Sequence, residues 1–225
     1  IEYWTYASTG NAIDFGNMTV TAAYRGALSS QTRGISGGGW TPLIDVIDYV
    51  TISSTGDSVD FGNLLAATEA PCGFSSPTRG IFAGGYVSPG AVNVIQYLTI
   101  ATTGNTTDFG DLTTIVITAS CNTSATRGVI GCIRTPSYVN NIEYVTMATL
   151  GNAADFGDQT DNRGSGAALS SSTRGCWAGG YGSPAARNTI DYVTIATQGD
   201  AVDFGDLNNA MDHRGGASNA HGGLG

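Results

Sequence analysis

The charged residues with the most regular spacing are one aspartate and one arginine in each of several repeats. Each of these aspartates begins an Asp-Phe-Gly triplet, and each of these arginines is the centre of a Thr-Arg-Gly triplet. They are Asp14, Asp60, Asp108, Asp155 and Asp203, and Arg33, Arg79, Arg127 and Arg174. A ring of arginines would suit an anionic glycan, because a guanidinium binds carboxylate or sulfate through paired hydrogen bonds. We favour a structural role, in which the aspartates satisfy turn amides or pair with the arginines, because stacked repeats preserve such bonds.

A second set of residues follows the double glycine that occurs once in most repeats. It comprises Trp40, Tyr86 and Tyr181, with Arg134 at the corresponding place in the repeat at residues 113–159. These residues open a loop, and loops on a rigid scaffold often carry function. Exposed aromatic faces also suit the C–H surfaces of sugars. The pattern therefore predicts a carbohydrate-binding role for Trp40, Tyr86, Arg134 and Tyr181.

The sequence contains no constellation that is typical of an enzyme. A glycosidase built as a ring of five repeats needs two carboxylates that face each other across the central channel of the ring. The segments of this chain that would line such a channel are rich in small hydroxyl residues and contain no acid. These segments are Leu28-Ser29-Ser30, Phe74-Ser75-Ser76, Cys121-Asn122-Thr123-Ser124, Leu169-Ser170-Ser171 and Ala217-Ser218-Asn219. His213 and His221 are the only histidines, too few for a three-histidine metal site. We therefore expect no catalytic residues, no metal site and no cofactor.

The four cysteines do not follow the repeat. Cys72, Cys121, Cys132 and Cys176 fall at different places within it and never form a Cys-x-x-Cys pair, whereas a zinc site or a disulfide framework would recur. We interpret them as small apolar residues of the core. Only Cys121 and Cys132, 11 residues apart across a predicted hairpin, are expected to be close enough to pair.

The charge of the chain excludes two classes of partner. The sequence contains 9 basic residues, all of them arginine, against 18 acidic ones, and the net charge is −9. Such a surface repels phosphate backbones and anionic lipids, so we expect no binding to nucleic acid. Membrane insertion is not expected either, because no apolar run approaches the roughly 18 residues that a spanning helix needs.

Internal repeats indicate the fold class. The Asp-Phe-Gly triplets are separated by 46, 48, 47 and 48 residues, and an Ile-x-Tyr motif keeps the same step. Repeats of roughly 40 to 50 residues are typical of the four-stranded blades of β-propellers. In the second repeat we predict strands at 27–31, 33–38, 46–53 and 59–64, separated by loops of Gly, Pro and Asp. The third of these strands is apolar on both faces, which is typical of a sheet covered on both sides.

The sequence therefore predicts an all-β protein that forms one five-bladed β-propeller over residues 1–225, with four antiparallel strands in each blade. Four blades are predicted at about 24–64, 65–112, 113–159 and 160–207. The closing blade is predicted to combine residues 1–23 with residues 208–225, because neither segment is a full repeat and together they supply four strands. Such closure removes exposed sheet edges.

Two family resemblances support this interpretation. The segments that run from Arg79 to Tyr86 and from Arg174 to Tyr181 resemble kelch repeats, in which a double glycine ends the second strand. Over essentially the whole chain, the sequence resembles the repeats of structural proteins from tailed bacteriophages, particularly marine and cyanobacterial phages. The shared pattern is TRG-x-x-x-GG-Y followed by N-x-I-x-Y-x-T-I-A-T-x-G-N/D-x-x-DFG-D-L.

The phage resemblance implies a non-enzymatic component of the virion, located on a tail or fibre and exposed outside the cell. A secreted or cell-surface location is the alternative. With the aromatic loops, it implies a module that binds a host-surface glycan. The competing hypotheses are an architectural capsid or tail decoration protein, whose partners would be other virion proteins, and a glycan hydrolase, which the acid-poor segments disfavour.

Overall fold

The computed structural model describes residues 1–5 and 7–216, and within them it contains strands and loops but no helix. The predicted all-β class is therefore confirmed. The strands are β1 (Glu2–Tyr3), β2 (Ile13–Asp14), β3 (Gly26–Ser29), β4 (Arg33–Gly37), β5 (Val46–Thr51), β6 (Val59–Asn63), β7 (Cys72–Ser75), β8 (Arg79–Ala83), β9 (Tyr86–Val87), β10 (Gly90–Thr99), β11 (Thr107–Val116), β12 (Thr118–Thr123), β13 (Arg127–Arg134), β14 (Asn141–Thr146), β15 (Ala154–Asp158), β16 (Ala167–Ser170), β17 (Arg174–Ala178), β18 (Tyr181–Gly182), β19 (Ala185–Ala186), β20 (Thr189–Thr194) and β21 (Val202–Asp206). The described part of the chain has no helix that could span a bilayer.

Most strands belong to four antiparallel sheets, each a meander of four strands in chain order. Sheet 1 is β3-β4-β5-β6, sheet 2 is β7-β8-β10-β11, sheet 3 is β12-β13-β14-β15 and sheet 4 is β16-β17-β20-β21. Strand β9 adds to one end of β10, and β18 pairs with β19. Strands β1 and β2 form a separate N-terminal hairpin. The first strands of the four sheets, which we call the inner strands, contact one another in chain order.

The strands predicted for the second repeat are present in sheet 1, where they lie within one to two residues of the expected bounds. The boundary predicted at residue 112 is less accurate, because β11 continues to Val116. Val116 is fully buried and its carbonyl accepts a hydrogen bond from the Gly85 amide at 2.8 Å. Packing against the double-glycine loop therefore extends this strand beyond the limit that the repeat pattern suggests.

The hydrophobic core lies between neighbouring sheets. Between sheets 1 and 2, for example, Ile47 and Phe61 pack with Phe82, Leu98 and Ile100. Equivalent clusters lie between sheets 2 and 3 and between sheets 3 and 4. Each interior sheet is thus covered on both faces, which explains why the third strand of each repeat carries apolar residues on both faces.

A recurring set of three hydrogen bonds joins each sheet to the next. At the junction of sheets 1 and 2, the Gly104 amide donates to the Phe61 carbonyl at 2.7 Å. The Asn63 amide donates to Asn105 Oδ1 at 3.0 Å, and the Asn63 carbonyl accepts from the Thr106 amide at 2.9 Å. The same bonds join the N-terminal hairpin to sheet 1, sheet 2 to sheet 3 and sheet 3 to sheet 4. The Gly-Asn/Asp turns therefore serve both as hairpin turns and as the contact points between repeats.

The glycine of Asp-Phe-Gly is required by this junction. Gly62 has a φ of 146°, a conformation that residues with a side chain rarely adopt. A Cβ atom at Gly62 would also overlap the carbonyl group of Gly104 in the next sheet. The close approach of consecutive repeats therefore accounts for the glycine in the triplet.

The first and last parts of the array differ from its interior. Phe204 is 59% exposed, whereas its counterparts Phe61, Phe109 and Phe156 are 2–3% exposed under the turn of the following sheet. Gly216 lies against the backbone of Ala168 in β16. The predicted sharing of a blade between residues 1–23 and 208–225 depends largely on residues 217–225, which lie outside the described part of the chain.

The structure corrects the expectation for the cysteines. Cys72 and Cys121 form a disulfide between the adjacent inner strands β7 and β12, with their Cα atoms 6.3 Å apart. The expected partner, Cys132, is a buried free thiol that packs in the cluster between sheets 3 and 4, whereas Cys121 packs toward sheet 2. Cys121 and Cys132 therefore face opposite sides of sheet 3. The bridge links two repeats, a proximity that spacing within one repeat does not reveal.

We expect a non-reducing peptide map to contain one linked pair, Cys72 with Cys121, and two free thiols.

Burial raises the pKa of the Cys132 thiol, an effect that the Arg163 charge partly offsets, and burial also raises the pKa of Cys176. Native alkylation near neutral pH should therefore modify Cys176 slowly and Cys132 hardly at all. Because its pKa is higher in the folded chain, the protonated Cys132 thiol stabilises the fold below its ordinary pKa of 9.0 and loses this contribution at higher pH. Rapid labelling of Cys132, or a peptide linking it to Cys121, would contradict this assignment.

Candidate functional site

The four residues predicted to bind ligand occupy equivalent positions in their repeats, at the end of the second strand in sheet 3 and just beyond it in the other sheets. Trp40, Tyr86 and Tyr181 each form an isolated antiparallel bridge with the loop that precedes the inner strand of the same sheet. The backbone hydrogen bonds of these bridges are 2.8–2.9 Å long. Arg134 ends β13, and its carbonyl accepts from the Ile117 amide at 2.7 Å. The backbone at each position is thus fixed, and the side chain stands at the loop surface.

The structure brings two of these four residues, Tyr181 and Arg134, together through their shared contact with Tyr138. Tyr181 packs against Tyr138 from the neighbouring repeat, with ring centroids 5.3 Å apart and planes inclined by 53°. The Arg134 guanidinium lies 5.8 Å from the centroid of the Tyr138 ring. Trp40, 42% exposed, and the half-buried Tyr86 occupy the same position in sheets 1 and 2 and are not part of this cluster.

The cluster borders a groove of about 580 Å3 between the loops of sheets 3 and 4. Its lining residues are Pro136, Ser137, Tyr138, Asn162, Ser183 and Arg187. The Tyr181 hydroxyl donates to the Pro184 carbonyl at 3.1 Å, which fixes the ring at one edge. The volume falls within the range of roughly 300–1,000 Å3 that is usual for small-ligand sites. Amide, hydroxyl and guanidinium groups beside tyrosine rings suit a ligand with hydroxyl groups and an apolar face.

A buried ionic network connects to this groove through the lining residue Arg187. Arg163 is fully buried and pairs with Asp191, also fully buried, and with Asp161 at 2.5 Å. Asp161 also contacts Arg187 Nε at 3.2 Å and so positions a lining residue. Burial disfavours the guanidinium charge, but the carboxylates of Asp191 and Asp161 favour it, and the pKa of Arg163 lies above its ordinary value.

No family model matches the chain, and no curated protein matches it.

The Thr-Arg-Gly arginines have partners other than those expected. Arg33 lies over the Tyr49 ring, 4.5 Å from its centroid, and its Nη1 donates to the Ile100 carbonyl of the next sheet at 2.7 Å. Arg79 and Arg127 make the same pair of contacts one and two repeats later. Arg174 lies over Tyr192.

The expected pairing with the Asp-Phe-Gly aspartates is not found among the described residues. These aspartates are exposed on the fourth strand of each repeat, whereas the arginine side chains extend across the sheet toward the next repeat. The expectation that the aspartates satisfy turn amides is met at Asp203, whose Oδ1 accepts from the Gly205 amide at 3.0 Å. The recurring arginines thus have a structural role, but through rings and carbonyls instead of carboxylates.

A second cavity, of about 380 Å3, lies along the inner strands. It is lined by Ala27, Leu28, Ser29, Gly73, Phe74, Ser75, Cys121, Thr123, Ala168, Leu169, Ser170 and Gly216. The Ser75 hydroxyl donates to the Ser29 carbonyl at 2.6 Å, and the Thr123 hydroxyl donates to the Ser75 carbonyl at 3.0 Å. These hydroxyls therefore connect adjacent inner strands. None of the described lining residues is acidic, so this lining offers no carboxylate pair of the kind that glycosidases use.

One set of buried polar residues was not predicted from the sequence: the middle residues of the Ile-x-Tyr motifs. Asp48, Gln96, Glu143 and Asp191 are 0–3% exposed. Asp48, Gln96 and Asp191 each accept a hydrogen bond from the segment that follows the last strand of the preceding repeat. Glu143 accepts one from the Thr113 amide within the extended β11, at 2.9 Å. A polar residue inside an apolar strand was the available signal. Burial between sheets explains why it needs a partner.

The histidines contribute no site among the described residues. His213 is exposed, and its Nδ1 lies 3.1 Å from Asp212 Oδ2. His221 lies outside the described part of the chain. Residues 1–5 and 7–216 contain no group of three or more His, Cys, Asp or Glu side chains that could hold a metal ion.

Proposed function

We propose that this protein is a non-enzymatic β-propeller module of a phage virion or tail, and that it binds host-surface carbohydrate through the groove between sheets 3 and 4. The observation that carries the proposal is the pair of packed rings, Tyr138 and Tyr181, beside the polar lining of that groove. Sugar recognition combines such apolar faces with convergent polar groups. The disulfide between Cys72 and Cys121 supports a location outside the cell, since disulfides persist mainly in oxidising surroundings.

We also propose that the array closes into a ring of five blades. One cavity is lined by residues from all four inner strands and by Gly216, as expected if the strands surround a common axis. The two ends carry the residues that form every other junction: Phe204 and Asp206 on β21, and Gly10 and Asn11 in the turn of the N-terminal hairpin. Closure of the ring would pair the Gly10 amide with the Phe204 carbonyl and the Asp206 amide with Asn11, by analogy with the other junctions.

Ring closure predicts the cost of removing the exposed ring at the last junction. If the N-terminal hairpin covers Phe204, Phe204→Ala should lower the free energy of unfolding by about 3–5 kcal/mol, as expected for a buried phenylalanine. Phe156→Ala, at an equivalent junction already buried, is the matched control. Urea unfolding with sedimentation analysis distinguishes the outcomes. A monomer in which Phe204→Ala costs less than about 0.5 kcal/mol would show that the ring is open.

The binding proposal predicts that Tyr181→Ala weakens binding to host polysaccharide by about tenfold or more, because the Tyr181 ring packs on Tyr138, which lines the groove, and packed aromatic residues carry much of the affinity of a site. Tyr86→Ala is the matched control, since Tyr86 holds the same position in sheet 2 and lies outside the groove. A glycan array followed by calorimetry on the best binder provides the measurement.

If the unsubstituted protein binds no polysaccharide of any host, the binding role fails. The architectural role then remains, and electron microscopy of intact particles would identify it by a position in a regular lattice. Turnover of a polysaccharide during the same assays would instead indicate a hydrolase and would contradict the non-enzymatic proposal.

A further inference from the structure

The groove has two arginines in or beside its lining although the chain as a whole is acidic. Arg134 is exposed and lies over the ring of the lining residue Tyr138, and its guanidinium has no ion-pair partner among the described residues. Arg187 lies in the lining and is held through its Nε by Asp161. No described lining residue of the groove is acidic. The site therefore offers two guanidinium groups beside the tyrosine rings, in a protein whose net charge is −9.

Arg134 also differs from the other arginines of the repeats. Arg33, Arg79 and Arg127 use their guanidinium groups to join successive sheets, and Arg163 is buried in ion pairs. Arg134 instead replaces the aromatic residue that follows the double glycine in three other repeats. Its charge makes no contact that joins two sheets, so it is available to a ligand.

We infer that the ligand of this groove is an anionic saccharide, bound with a sugar ring against Tyr138 and Tyr181 and with its carboxylate or sulfate on Arg134 and Arg187. This inference rests on the proposed carbohydrate-binding function. A guanidinium presents paired N–H donors that match the geometry of carboxylate and sulfate, and it stays charged at any physiological pH. Asn162 lies in the lining and can bond the sugar hydroxyls from the same groove.

The test compares polymers that share a backbone and differ in charge: dextran sulfate with dextran, and polygalacturonate with its fully methyl-esterified form. We expect binding to at least one charged polymer, with affinity at least about tenfold above that for its neutral counterpart, and a marked loss of affinity as salt is raised. The two pairs distinguish sulfate from carboxylate recognition.

Arg134→Gln should reduce binding to the charged polymer by about tenfold or more, because a charge-assisted hydrogen bond is lost. Arg214→Gln, another exposed arginine, is the control and should leave the affinity unchanged. Equal binding to charged and neutral polymers, with no effect of Arg134→Gln, would overturn this inference and leave the proposed function intact. Binding to none of the four polymers, nor to any neutral or charged glycan of an array, would overturn both.

Discussion

Replacing Trp177 with alanine is expected to lower the free energy of unfolding by about 3–5 kcal/mol. Trp177 is fully buried in the cluster between sheets 3 and 4, and its indole Nε1 donates to the Ser120 carbonyl at 2.9 Å. The ring lies directly over Gly131, where any Cβ would overlap it. The neighbouring sheet presents backbone at this point, so the structure has little freedom to fill the cavity that the substitution leaves.

Urea unfolding followed by far-ultraviolet circular dichroism measures this effect. Trp40→Ala is the matched control, because Trp40 is 42% exposed and its removal should change stability by no more than about 0.5 kcal/mol. Trp177→Phe should lie between the two, since it keeps most of the buried ring and loses the hydrogen bond to Ser120. Equal stabilities for Trp177→Ala and Trp40→Ala would show that this junction of sheets is not packed as described.

The sequence allows the strands within a repeat to be predicted, because turns and alternating apolar residues are local signals. Sheet 1 has its four strands where the glycine turns and the apolar runs of the second repeat place them. The partners between repeats are harder to predict. The Cys72–Cys121 bridge and the contact of Arg33 with Ile100 join residues 49 and 67 positions apart, and both depend on how one sheet lies on the next.

Only part of the candidate site was predicted from the sequence, because the rest of it depends on contacts between repeats. Tyr181 and Arg134 follow the second strand of their repeats, which identifies them as loop residues from the sequence alone. Tyr138 lies four residues beyond Arg134, outside the position that the repeat pattern indicates. Its packing on Tyr181 results from the stacking of two repeats, and no spacing in one repeat reveals it. The loop between β13 and β14 contains a tyrosine near a proline, as does the loop between β17 and β20, and that shared composition was the signal.

The second large effect is expected at the ionic network that connects to the groove. Arg163→Met should lower the free energy of unfolding by about 3–5 kcal/mol, because it leaves the carboxylate of Asp191 buried without its cationic partner. Arg163 and Asp191 are both fully buried, so water cannot take over the solvation of that charge. Asp191 would keep its hydrogen bonds from the amide and hydroxyl of Thr160, at 3.1 and 2.9 Å, but neutral donors do not replace a guanidinium.

A second substitution separates charge from packing. Asp191→Asn removes the buried charge and preserves an acceptor for Thr160, so the double variant Arg163→Met with Asp191→Asn should recover about 1–3 kcal/mol relative to Arg163→Met alone. Arg214→Met, at an exposed arginine, should stay within about 0.5 kcal/mol of the unsubstituted protein. If the double variant is no more stable than Arg163→Met, the loss reflects the missing side-chain volume and the ion pair is not what holds this region. If it recovers stability but still binds ligand poorly, Arg163 also positions the groove, since Asp161 would then hold Arg187 without its second partner.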